Sequence, residues 1–393
     1  MQKKLIALAI ATLASGAAFA QSNVTIYGSV DVGFSHRGDN INSHVGSQNA
    51  IDSGLSGDSA IGFKGVEDLG NGVSALFVLE AGFSADDGEH TEDGKLFGKQ
   101  AFLGLTGGFG TAIAGRLVAP RYSLLAAIDP FGDGTVGRFH NVFSDVVAAD
   151  VDRVDNAVAY VSPSFSGFNV TGAYSTSALW QEGAGVPVAA NTALGTALGL
   201  PTGTVVRAGG VDNDGDLRVY TILPRYTNGP LDIGLAYQQI KGKDTAKDVK
   251  VKQWTLGGTY DFKVVKLSAY YDSYKDKDGF ANLALNPYAR TVFGDLKLKT
   301  FGLGVTVPFG KHAVLASYNQ SKLKWDGDSG KAKQWALGYT YSLSKRTNFY
   351  AAYSDISNDD GSNDLNRFAT TNDANNAGDG YQNGFQFGLK HNF

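Results

Sequence analysis

The sequence predicts an all-β protein: a 16-stranded antiparallel β-barrel that crosses a membrane. Three observations predict it. Apolar and polar residues alternate with period two almost throughout, as half-buried strands require. The alternating runs come to an even number, sixteen. The connections between them alternate short and long, as in an up-and-down barrel with one end threaded through a membrane. Composition agrees, with 51 Gly, 23 Phe and 18 Tyr but 1 Met and 0 Cys. Glycine and aromatic residues without blocks of helix formers favour strands and turns. The absence of cysteine excludes a disulfide scaffold and a thiolate metal site.

The chain opens on "MQKKLIALAIATLASGAAFA". Lys3 and Lys4 precede an apolar run from Leu5, and Ala18-Phe19-Ala20 makes an A-x-A cleavage site. Residues 1–20 are therefore expected to be a cleaved signal peptide, and 21–393 the barrel domain. Cleavage removes two lysines and leaves 32 bases against 38 acids, a net charge of −6. An acidic chain of this kind is a poor partner for nucleic acid. No later stretch reaches the roughly 18 consecutive apolar residues of a spanning helix.

Taken in order, the strands are expected at 23–35, 59–67, 73–83, 96–106, 110–117, 156–164, 168–175, 217–227, 231–241, 251–262, 264–275, 295–309, 312–323, 332–344, 347–357 and 381–393. The first, "VTIYGSVDVGF", places Val24, Ile26, Val30, Val32 and Phe34 on one face against Thr25, Ser29 and Asp31. "QWALGYTYSL" sets Trp335, Leu337, Tyr339 and Tyr341 against Gln334, Gly338 and Thr340. The last run ends on Phe385, Phe387, Leu389, His391 and Phe393. Tight links such as "TNGP" and "FGK" alternate with long polar ones at 36–58, 84–95, 118–155, 176–216, 242–250, 276–294, 324–331 and 358–380. A barrel with lipid outside and water inside satisfies both faces of every strand and leaves no edge. At sixteen strands the lumen is too wide for side chains to fill. Leu337 and Val305 should therefore meet lipid, and the neighbouring Gly338 and Gly304 should meet water.

The stretches "VTIYGSVDVGF", "IGFKGVEDLGNG", "LFGKQAFLGLTGGFGTAIAGR", "DRVDNAVAYVSPSFSGF" and "FGLKHNF" recur in order along the mature chain. They resemble the general porins of Gram-negative bacteria, those of the Neisseria and Burkholderia branch most of all. The resemblance implies an outer-membrane homotrimer with short periplasmic turns and long extracellular loops. It implies that the third long loop folds into the lumen as a constriction. It also implies passive diffusion of ions and small hydrophilic solutes, with no cofactor and no enzymatic activity. Outer-membrane lipids, lipopolysaccharide and the assembly machinery would be the partners, and Phe393 would belong to the assembly signal.

In the third long loop, "AAIDPFGDG" resembles the acidic constriction stretch of that family, so Asp129 and Asp133 are expected on the acidic side of the pore. Lys99 stands where the family usually has Arg, and Arg153 matches its basic position; Arg116 and Lys64 are further inward candidates. Ala60 falls where Arg is usual, which weakens the basic side. Weak selectivity, tilted toward cations if anything, is the expectation.

Other chemistry finds little support. Asp212, Asp214 and Asp216 in "DNDGD" alternate as calcium ligands would, but Leu223 stands where the bidentate Glu belongs. "LSGDSA" has a serine but no histidine at a fitting spacing among the six. A substrate-specific channel, a barrel enzyme, or an adhesin acting through loop 176–216 are the competing readings. The long loops show no aromatic run of the kind a sugar path would use.

Overall fold

The computed structural model describes residues 23–40, 47–92, 94–132, 134–142, 151–178, 187–189, 205–207, 217–242, 250–277, 295–325, 328–358 and 381–393. Its strands are β1 (Asn23–Asn40), β2 (Gln48–Ser53), β3 (Ala60–Gly70), β4 (Val73–Gly82), β5 (Gln100–Gly107), β6 (Gly110–Val118), β7 (Arg153–Val161), β8 (Phe168–Ser175), β9 (Pro187–Ala189) and β10 (Val205–Arg207). They continue with β11 (Leu217–Asn228), β12 (Leu231–Gly242), β13 (Lys250–Asp261), β14 (Lys266–Lys277), β15 (Leu296–Phe309), β16 (His312–Trp325), β17 (Asp328–Ser342), β18 (Thr347–Asn358) and β19 (Tyr381–Asn392).

Each long strand pairs antiparallel with its neighbours in sequence, and β8 pairs with β11. The ring closes on β1, whose residues 23–29 pair with β3 and whose residues 29–40 pair with β19. That makes the expected closed barrel of sixteen spanning strands. The additions are small. β2 takes over from β3 along the upper part of β1, from Val32–Ser53 to Arg37–Gln48. β9 and β10 pair only with each other. β5 starts at Gln100, later than its alternation suggests; before it, Lys99 N donates to Glu80 O at 3.1 Å and Arg116 Nε to the Gly98 carbonyl at 2.5 Å.

Backbone bonds carry the closure to the last residue. Phe393 N donates to Gly28 O at 3.0 Å and Gly28 N to Phe393 O at 3.3 Å. The Phe393 ring lies over Gly28, where a Cβ would stand 2.6 Å from its Cζ. The same Cβ would stand 2.3 Å from the backbone oxygen of Ala60, so the seam is tight from both sides of Gly28.

The period-two pattern sorts the side chains as expected. Ile26, Leu103, Leu235, Leu303, Leu337 and Phe387 are exposed on the outer face. Thr221, Gln253, Thr255, Asn319, Ser354 and Gln386 are buried on the inner face. Cross-strand aromatic pairs such as Trp254–Tyr271 (5.3 Å) and Trp335–Tyr353 (5.3 Å) tie adjacent strands together.

The inner polar faces are buried because the third long loop, hereafter L3, lies across them. Its described part begins with helix α1 (Pro120–Ile128) and includes a 3-10 turn, Phe139–Val142. The period-two pattern does not anticipate this helix. Pro120 opens α1, the helix start where a missing N–H costs nothing. Leu and Ala follow, and apolar residues occur on most of its faces, the pattern of a helix buried all round. Among the described residues no helix is long and apolar enough to cross a membrane.

A track of inner-face glycines on β12, β13, β15, β17 and β19 makes the floor for L3. A Cβ on Gly234 would lie 2.9 Å from Leu124 Cδ1, and one on Gly257 2.4 Å from Ile128 Cδ1. On Gly304 it would meet Pro130 Cγ at 2.3 Å, on Gly338 Phe131 Cε1 at 2.6 Å, and on Gly384 Val136 Cγ1 at 2.8 Å. Gly304 and Gly338 thus face inward as expected, but they meet L3 rather than water. Polar contacts pin the same loop. Val136 N donates to Gln386 Oε1 at 2.8 Å, and Gln334 Nε2 donates to Val136 O at 3.2 Å.

Candidate functional site

Opposite the floor of L3, where β3, β5, β6 and β7 meet the turn 54–59 and the loop 83–99, charges of alternating sign form a row. Lys99 Nζ is paired with Asp58 Oδ2. The same Asp58 oxygen lies 3.7 Å from Arg153 Nη2. Arg153 Nη1 is 3.6 Å from Glu92 Oε1, and Glu92 Oε2 is 3.5 Å from Arg116 Nη2. Arg116 Nη1 is paired with Asp155, whose other oxygen pairs with Lys95. The row therefore reads Lys99, Asp58, Arg153, Glu92, Arg116, Asp155, Lys95: four bases and three acids, a net charge of +1. At each shared carboxylate the two oxygens, or one oxygen twice, serve neighbouring bases. Each acid thereby relieves the repulsion between two cations.

Three of the four expected basic residues, Lys99, Arg116 and Arg153, come together here. Lys64 does not. Its amine sits 5.0 Å from the centre of the Tyr27 ring, and the Tyr27 hydroxyl donates to Glu80 Oε2 at 2.6 Å. Ala60 is buried on the inner face and adds no charge.

The acidic side needs correction. Asp129 is buried and follows α1 as its C-terminal cap. One carboxylate oxygen accepts the Phe131 N–H at 2.8 Å, the other the Phe139 N–H at 2.7 Å. Those bonds fold the turn of L3 back on itself, and the carboxylate does not face Lys99 or Arg153. Asp133 and the string Asp212, Asp214, Asp216 lie outside the described residues. Among the described residues no cluster of acids and histidines could hold a metal ion.

The carboxylates that do face the bases, Asp58, Glu92 and Asp155, escaped the sequence reading. Asp155 alone carried a signal, standing two residues after Arg153 in "DRVDNAVAY". Asp58 and Glu92 come from two different loops and meet Arg153 of β7 and Arg116 of β6, so no spacing joins them to those partners. Exposure differs along the row. The side chains of Asp58 and Glu92 are 42% and 33% exposed, against 5% for Lys99 and 14% for Arg153 and Arg116. Asp58 and Glu92 thus stand in front of Lys99, Arg153 and Arg116, whereas at the other end of the row Lys95, 27% exposed, stands in front of Asp155, 18% exposed.

L3 carries its own buried charges. Arg121 of α1 and Asp272 of β14, both 0% exposed, are 3.4 Å apart. Asp272 also accepts from Gln253 Nε2 at 3.2 Å and from Thr255 Oγ1. Burial pulls the Arg121 guanidinium below its ordinary pKa and Asp272 opposes the shift; an arginine stays charged regardless. Burial, then the Arg138 and Arg121 guanidiniums, hold the His140 imidazole well below its ordinary range. That histidine packs against Tyr122, 5.4 Å between ring centres, as a neutral ring.

A closed barrel of sixteen strands, a loop folded across its lumen and a row of charges facing that loop fit a known family model, that of the Gram-negative porins, over residues 7–361. The chain belongs to the Gram-negative porin family. The porin is 34% identical over 384 residues to an outer membrane porin protein of Bordetella pertussis, covering 89% of this chain and 93% of the relative. It is 31% identical over 410 residues to outer membrane porin protein 32 of Delftia acidovorans, covering 100% of both. Among solved structures, an anion-selective porin from Comamonas acidovorans superposes with a TM-score of 0.71 at 26% identity, over 95% of this chain and 100% of that one. The porin is thus a β-barrel of the Gram-negative outer membrane, forming a water-filled channel through which ions and small hydrophilic solutes diffuse passively.

Proposed function

We propose that the alternating row from Lys99 to Lys95 is the selectivity element of this channel, and that it makes the channel weakly selective. The observation that carries this is the order of exposure: Asp58 and Glu92 in front of Lys99, Arg153 and Arg116, with Lys95 the most exposed base. A lumen with low-dielectric walls focuses the field of each charge, so the outermost groups dominate what a passing ion experiences. The related Comamonas porin is described as anion-selective. In this chain Ala60 replaces a basic residue that the family resemblance leads one to expect, and Asp58 and Glu92 cover the bases that remain. A polar solute crossing the row finds both signs within reach and can exchange water for protein partners. An apolar solute strips that water without compensation and is disfavoured.

The test is the reversal potential of the purified protein in a planar bilayer under a potassium chloride gradient. Wild type should lie near zero, and Asp58→Asn with Glu92→Gln should move it toward anion preference. A strongly selective wild type, or a double variant that leaves the reversal potential unchanged, overturns the assignment.

The reading extends to biogenesis and assembly. Residues 1–20 act as the cleaved signal, the mature barrel associates as a homotrimer among outer-membrane lipids and lipopolysaccharide, and Phe393 serves the assembly machinery. No enzymatic activity is assigned to it. The two backbone bonds between Phe393 and Gly28 support that role. Deleting it should leave the protein in the periplasm or degraded, read by immunoblot of separated membranes. Normal outer-membrane levels of the deletion would remove Phe393 from that role.

A further inference from the structure

Asp58, the acid shared by Lys99 and Arg153, sits in the short turn between β2 and β3. Within that turn one backbone bond is formed, Gly57 N to Gly54 O at 3.2 Å. Its other supports come from outside, on three sides. From β1, Asp31 accepts the Ser56 N–H at 2.8 Å, the Asp31 carbonyl accepts the Gly54 N–H at 2.9 Å, and Ser29 Oγ donates to Asp58 O at 2.8 Å. From β18 and β19, the Tyr350 hydroxyl donates to Asp31 at 2.5 Å and Lys390 Nζ donates to Gly57 O at 2.8 Å. From L3, Gly134 lies against the turn. A Cβ on it would stand 2.4 Å from Gly57 N, 2.6 Å from Gly54 O and 2.9 Å from Ser56 C. All three are backbone atoms, which cannot swing aside as a side-chain end can.

We propose that the turn 54–59 couples the position of L3 to the selectivity of the channel, with Gly134 and Asp31 as positioning residues for the Asp58 carboxylate. The proposal rests on the charged row being the selectivity element. L3 is seated on the far wall through its glycine floor, and Gly134 bears on the turn at Gly57, the residue directly before Asp58, the most exposed acid of the row. A shift of Gly134 is therefore passed through backbone contact to Asp58. Moving Asp58 away uncovers Lys99 and Arg153, the two bases it shares. Asp31 and Tyr350 hold the turn from the opposite side, so loosening them has the same consequence. Neither Gly134 nor Tyr350 carries a charge, so an effect of either on ion selection that vanishes once Asp58 is neutral passes through Asp58.

The experiment compares reversal potentials of Gly134→Val and Tyr350→Phe, each in the wild-type and in the Asp58→Asn background. Neither substitution changes the net charge. Both are expected to shift the wild-type channel toward anions, in the direction of Asp58→Asn, and to add no further shift once Asp58 is neutral. Tyr350→Phe is the milder variant and tests the coupling if Gly134→Val fails to fold; Gly134→Ala does so from the L3 side. If Asp58→Asn shifts selectivity and the uncharged variants do not, the coupling is overturned while the row keeps its role. A shift of equal size in both backgrounds means that pore geometry rather than Asp58 is responsible, and also overturns it. If Asp58→Asn itself has no effect, the row and the coupling fall together.

Discussion

Replacing Arg121 by Met should unseat L3 while leaving the barrel wall closed. Asp272 would remain at 0% exposure with Gln253 and Thr255 as donors but without the guanidinium beside it. Removing one partner of a buried ion pair costs about 3–5 kcal/mol, because the other charge is left uncompensated in a poorly polarisable site. The cost falls on the contact between α1 and β14, since the strand ladder does not depend on either side chain. L3 should therefore populate displaced positions. Single-channel traces should show a broader conductance distribution with a larger mean, and amide exchange along Pro120–Ile128 should speed up. The double variant Arg121→Met, Asp272→Leu should recover much of the loss, since removing both charges of a buried pair is often neutral. Unchanged conductance and exchange in Arg121→Met would mean that the glycine floor alone seats the loop.

The second large effect separates the two faces of β17. Leu337 is 54% exposed on the outer face, and an arginine at the bilayer midplane of a barrel costs roughly 2–4 kcal/mol. Leu337→Arg should fold into lipid vesicles poorly and unfold at lower denaturant. Gly338→Arg, one residue away, should insert more normally and fail differently. Its side chain enters the space held by Phe131 and must lift L3, so the defect should appear in conductance. Gly304→Arg meets Pro130 and should behave the same way. Equal insertion defects at 337 and 338 would place the wrong face toward lipid. Wild-type conductance in Gly338→Arg would show that L3 is not seated where Phe131 puts it.

The sequence alone determined the barrel, because its governing signal is local. A strand with one face in lipid and one toward water writes its alternation every two residues, and Leu337 beside Gly338 declares the wall's two sides without reference to any other strand. The even number of runs and the alternating loop lengths then follow from counting. The same locality made Arg153 and Lys99 legible, since each sits in a motif quoted from a single strand or its edge. Tertiary structure decided what those residues face. Asp129 has the residue type and the loop expected of a pore carboxylate, yet the N–H groups of Phe131 and Phe139, two and ten residues further on, claim its two oxygens. Gly304 and Gly338 have inward parity, but parity reports the side of a wall and not what lies against it. Asp58 and Glu92 reach the bases from separate loops, and their juxtaposition depends on closure of the ring and on the seat of L3. Pairing across a closed barrel joins residues far apart in the chain, and no local pattern records which of them will meet.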